Sequence, residues 1–219
     1  MRETPKAGMK PRPIVLDYVL LIALILGSGS GCSSVHTANE DSEIVQLVAD
    51  YPGYTTINEA VAAADVILTG RFISAREELL YADVDPNAGS PETNPQFGLE
   101  LTESELDVLS VPIIVSTVAT DRVLKGAVLP GDIIEISQTG GQKNGVVYRD
   151  PSSVLLADVE SDTFLLFLID YDGRHPYTPI NTQVGTWEVE GDLVLPVIEP
   201  APFMIGSIQE LQGIIDKMS

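Results

Sequence analysis

Thr163 to Ile169 reads TFLLFLI, six apolar residues in unbroken succession after one threonine. A half-exposed strand alternates, and a surface helix leaves one face polar. A run this short and this uniformly apolar fits a strand covered on both faces. It therefore predicts a central strand with packed layers on either side, and the rest of the chain must supply those layers. Asp170-Tyr171-Asp172-Gly173 follows as its turn.

Other segments supply strands. Asp65 to Ser74 (DVILTGRFIS) is β-rich, and Gly70 within it predicts a bulge or bend. Ile113 to Leu124 reads as a long strand ending at Lys125-Gly126. Asp132 to Gln138 alternates and is closed by Gly140-Gly141, with a polar loop after it. Gly185 to Glu190 and Leu193 to Val197 are joined by Gly191-Asp192, a two-residue hairpin signal. Thr56-Ile57-Asn58-Glu59 has the spacing of a capping box and opens a short helix through EAVAAAD. Ser207-Ile208-Gln209-Glu210 repeats that spacing before a helix with Ile208, Leu211, Ile215 and Met218 on one face. Roughly six strands, two or three helices and no β-α-β alternation predict a mainly β barrel or sandwich with peripheral helices, one of them an amphipathic C-terminal helix. Residues 77–107 are expected to form a long acidic loop ending in a short capped helix at Thr102-Glu103-Ser104-Glu105.

The N-terminus carries an address. Met1 to Arg12 is basic on balance, and Tyr18 to Leu26 is wholly apolar. That run is shorter than the ~20 residues a spanning helix needs. Gly27 to Cys32 (GSGSGC) follows, five small residues and the chain's one cysteine. Such residues let an extended backbone enter a peptidase groove. Ser30, Gly31 and Cys32 resemble the end of a bacterial lipobox, although Gly29 stands where leucine is usual. The resemblance implies removal of residues 1–31, a diacylglyceryl group on the Cys32 thiol with palmitate-type acyl chains, and a membrane anchor on the extracytoplasmic face. Each buried methylene would contribute ~0.8 kcal/mol to anchoring. Ordinary cleavage with a free Cys32, or an uncleaved anchor, are the alternatives. Residues 32–43 then form a small, polar, acidic tether that includes His36, and 44–219 the folded domain.

Charge narrows the partners. The chain has 12 Lys and Arg against 32 Asp and Glu, a formal charge of −20. Arg2, Lys6, Lys10, Arg12, Glu3 and Asp17 precede Cys32, so the remainder holds 8 basic and 30 acidic residues, a charge of −22. That surface repels phosphate backbones and excludes nucleic acid as a partner. A single cysteine allows no intrachain disulfide.

The order of blocks, ADVILTGRFIS, a variable loop, a long strand to VLKG, then GDIIEI, GG and TFLLFL, resembles the netrin-like module. This is the OB-like barrel of the tissue inhibitors of metalloproteinases, and it is also similar to bacterial lipoproteins of unassigned role. The resemblance spans Ala64 to Asp192 and implies an OB-like barrel of five to six strands. It does not imply metalloprotease inhibition. Those inhibitors bind zinc through a free N-terminal cysteine beside the first strand, whereas Cys32 is distant from it.

No catalytic constellation is present in sequence. The histidines are His36 in the tether and His175 after a strand turn, and there is no G-x-S-x-G, H-E-x-x-H or P-loop. No catalytic residue, cofactor or metal ligand is assigned, and an enzyme reading rests only on the abundance of carboxylates. Asp83-x-Asp85-x-Asn87 begins like a Ca²⁺ loop but lacks its glycine and bidentate glutamate in place. Asp170-x-Asp172 and Asp158-x-Glu160-x-Asp162 are also oxygen-rich. Trp187 is expected in the core rather than on a ligand-stacking surface. The expected function is a tethered, non-enzymatic module that binds a protein or envelope component. The alternative is a Ca²⁺- or carbohydrate-binding module.

Overall fold

The structure, a computed structural model, describes residues 43–48, 50–81, 90, 92–93, 98, 100–171, 173 and 175–218. Cys32, His36, nearly all of the tether and the Asp83–Asn87 segment lie outside the described residues. The chain divides into two units, Met1–Thr37 and Ala38–Ser219, and every described residue belongs to the second. Among the described residues no helix is long and apolar enough to cross a membrane.

The domain is mainly β. Nine strands are β1 (Ile44–Gln46), β2 (Val66–Leu80), β3 (Val111–Lys125), β4 (Ile133–Lys143), β5 (Val146–Arg149), β6 (Thr163–Ile169), β7 (Thr178–Pro179), β8 (Thr186–Glu190) and β9 (Leu193–Pro196). Three α-helices are α1 (Ile57–Ala63), α2 (Glu103–Leu109) and α3 (Ile208–Met218). The ladders follow the order β1-β5-β4-β3-β2-β6-β8-β9, with β7 beside β6. That sheet is open, so the ladders do not form the closed barrel of five to six strands that the sequence predicts. One isolated parallel bridge, Ile136 to Tyr177, ties β4 to the segment entering β7.

β6 is central as expected. It pairs β2 on one edge and β7 and β8 on the other. Its side chains alternate between two cores. Phe164, Leu166 and Leu168 pack with Val66, Leu68, Val118, Ile134 and Ile136, with Leu156 of a 3-10 turn at Leu156–Asp158. Leu165 and Phe167 face the other way, onto Ala60 and Val61 of α1, Leu211 and Ile215 of α3, and Trp187. Trp187 is fully buried, its Nε1–H donating to Val184 O at 2.8 Å. It therefore serves the core and not a ligand surface.

All three capping signals are realised. Thr56 and Thr102 each accept from the N–H three residues on, and Glu59 and Glu105 reach back to the cap N–H groups. Ser207 Oγ accepts from Glu210 N–H at 3.1 Å, while Glu210 accepts from Gly206 N–H, one residue before the cap. Neither α1 nor α2 has a basic residue in its last turn. Two strand lysines fill that role: Lys125 Nζ donates to Val61 O and Ala64 O, and Lys143 Nζ to Asp107 O and Ser110 O.

Three expectations need correction. The loop over 77–107 is shorter, because β2 runs on to Leu80, paired with β3 as far as Val111, and α2 occupies its other end. Exposed Arg76, Glu77 and Glu78 hide the alternation there, while cross-strand pairing and the Arg76–Glu135 ion pair sustain the strand. Gly140-Gly141 does not close β4. Both glycines lie within it at positive φ (138° and 122°), where β4 leaves the β3 ladder for β5. The reversal comes at Asn144-Gly145 (φ 53° and 80°), a two-residue hairpin, so β5 occupies the first part of the expected polar loop. Gly70 does mark an irregularity: the β2–β3 register shifts between Thr69 and Gly70, and a Cβ there would lie 2.7 Å from Ala119 O.

Candidate binding groove

β4 and β6 do not pair with each other, and the chain between β6 and β7 leaves a gap between them. One wall comes from the turn after β3. Gly126 takes φ 104° where a side chain would strike Asp65 O at 2.9 Å, and the chain returns through Asp132. Asp132 Oδ2 accepts from Leu129 N–H at 2.8 Å and fixes that return. The other wall leaves β6 at Asp170, whose Oδ1 accepts from Gly173 N–H at 2.7 Å and whose own N–H donates to Asp65 Oδ2 at 3.0 Å. His175 and Pro176 then lead to Tyr177, which crosses to β4 and closes the gap at one end.

The result is an open groove of about 660 Å³. Val128, Ile133 and Pro176 supply apolar surface, and Asp132, Glu135 and Asp170 supply carboxylates. Burial, then Asp170 and Asp132, push the Tyr177 phenol above its ordinary pKa. Both aspartates therefore act on the same phenol. Glu135 is already engaged: Arg76 donates to both its oxygens at 2.7 and 3.0 Å and holds its carboxyl below the usual range.

A second, smaller cavity of about 50 Å³ is large enough to hold ordered water. Its polar walls already have structural work. Gln138 donates to Val154 O and accepts from Leu156 N–H, and Asn181 donates to Pro52 O and accepts from Val184 N–H. Beside it Tyr51 Oη donates to Asp150 Oδ2 at 2.8 Å, while Ser152 N–H and Oγ–H both donate to Asp150 Oδ1. These groups knit the chain after β1, β4 and the chains after β5 and β7 together and leave the larger groove as the candidate site.

Among the described residues no group of three or more His, Cys, Asp or Glu side chains could hold a metal ion. Asp158, Glu160 and Asp162 make no such group, and Asp172 lies outside the described residues. His175, weighed in sequence as a loop residue, is exposed on the groove wall. Asp132 and Tyr177 carry no local signal that would single them out. Compared with known proteins, the chain matches no family model, no curated protein and no solved structure.

Proposed function

We propose that this chain is a lipid-anchored, extracytoplasmic binding module, held at the membrane by Cys32 and engaging a protein or cell-envelope partner through the groove between β4 and the Asp170–Tyr177 segment. The groove carries the reading. Among the described residues it is a large concave surface, open and apolar in part, with carboxylates that no core contact consumes. The lipobox-like Ser30-Gly31-Cys32 and the acidic tether support the address. An OB-like barrel of the netrin-module kind is the finer fold reading. Its support is the run of ladders β4-β3-β2-β6-β7, with the Ile136–Tyr177 bridge between its two ends, packed on the core of Phe164, Leu166 and Leu168.

Address and binding are tested separately. The intact mass of protein extracted from its native membrane should equal Cys32–Ser219 plus acyl chains, with processing lost in Cys32→Ala. An unacylated or full-length mass removes the anchor. Capture from solubilised native membranes should enrich a discrete partner that Ile133→Arg releases. Recovery at background level removes the binding reading.

A further inference from the structure

The groove also exposes a strand edge. Thr120 N–H donates to Asp132 O at 2.9 Å, which fixes the phase of the β3–β4 ladder. Ala119 and Ile133 face each other as a non-hydrogen-bonded pair, and Ile133, Glu135 and Ser137 turn their N–H and C=O groups away from β3. Tyr177 uses part of that edge: its N–H donates to Glu135 O at 2.9 Å, and its carbonyl accepts from Ser137 N–H at 2.8 Å. Toward Asp132, no backbone hydrogen bond crosses the groove among the described residues. The Glu135 N–H and both backbone groups of Ile133 point into it, and the Ile133 side chain is 59% exposed.

We propose that this edge receives an extended, basic segment of a partner protein as an added strand, continuing the sheet where the Tyr177 bridge stops. The inference rests on the groove as the binding surface and names its occupant. Main-chain bonds to Ile133 and Glu135 supply affinity, and alternate side chains meet Ile133 on one side and the aspartates on the other. Charge agrees with this occupant. Among the described residues, Asp132 and Asp170 each spend one oxygen on a local turn, and the second oxygen of each can meet an incoming ammonium or guanidinium. A domain this acidic would draw in such a segment and repel an acidic one.

The test uses the full chain and three synthetic peptides: one alternating lysine and valine, its glutamate–valine counterpart, and the lysine–valine peptide N-methylated on one edge. The first should bind saturably, weaken with salt, and slow hydrogen exchange at the Glu135 and Ile133 amides. N-methylation removes ladder donors but keeps charge, and should weaken binding about tenfold. The glutamate peptide should not bind. Asp132→Asn and Asp170→Asn keep the local turn acceptors and should each weaken the lysine peptide several-fold. Equal binding of the methylated peptide, unchanged exchange at both amides, or indifference to both Asn variants would overturn the inference. So would failure of the lysine peptide to bind. If membrane capture still yields a partner released by Ile133→Arg in that case, the binding reading stands and only the occupant is wrong.

Discussion

Tyr177 lies beside Ile136 in a parallel bridge, held by hydrogen bonds to Glu135 O and from Ser137 N–H. This contact joins β4 to the β6–β7 side of the sheet and sets where the groove begins. Replacing Tyr177 by proline removes its N–H and should cost ~0.5–1.5 kcal/mol, the net worth of one partly exposed hydrogen bond. Urea unfolding checks the cost, and faster exchange at Ser137 N–H checks the location. Tyr177→Phe keeps the backbone and should leave that exchange unchanged.

Lys125 caps α1 from outside the helix, 2.8 Å from Val61 O and 2.5 Å from Ala64 O. Lys125→Met keeps the stem and removes the donor. A loss of ~1–3 kcal/mol in urea unfolding is expected, because the Ala64 carbonyl is buried beside α1. A change below ~0.5 kcal/mol would mean water replaces the ammonium there.

Two interior hydroxyls have no hydrogen-bond partner among the described residues, Ser116 Oγ and Thr120 Oγ1. They flank Val118 on β3, the strand whose Val118 packs in the Phe164 core. Thr120→Val keeps the shape and removes the stranded group, so stability should rise by ~1 kcal/mol in thermal or urea unfolding.

Asp150 predicts an acid limb. Burial raises its pKa, but hydrogen bonds from Ser152 and Tyr51 together outweigh this and leave it lowered. A carboxyl lowered in the fold stabilises above its unfolded pKa of ~3.9 and loses that contribution as pH falls through the folded value. Asp150→Asn should flatten the fall in urea midpoint below about pH 4. Tyr51 acts at the other end. Burial first, then Asp150, raises its phenol, so its contribution is present below ~10 and fades as pH rises through the raised folded value.

Much of the fold was legible in local chemistry. Phe164 to Ile169 announced a strand buried on both faces, and Thr56 with Glu59 and Thr102 with Glu105 marked two helix starts. Gly191-Asp192 marked the β8–β9 turn. Asn144-Gly145 is an equally local hairpin signal for β5, and the Gly140-Gly141 pair just before it competes as a turn signal. The far half of β2 was hidden because Arg76-Glu77-Glu78 is charged on both faces. β1 and β7 are too short to show a period, and they form through distant pairings, Ile44 with Val147 and Leu168 with Pro179. The groove belongs to this last class. Asp132 and Asp170 line one groove only because the fold brings the end of β6 near the start of β4.

The most direct test places a photo-crosslinking residue at Ile133 in the full chain in its native membrane, with a second at exposed Met204 as control. The account predicts one discrete adduct from Ile133, absent from Met204 and reduced by Asp170→Asn. No adduct at Ile133, or the same adducts at both positions, would contradict the groove as the binding surface.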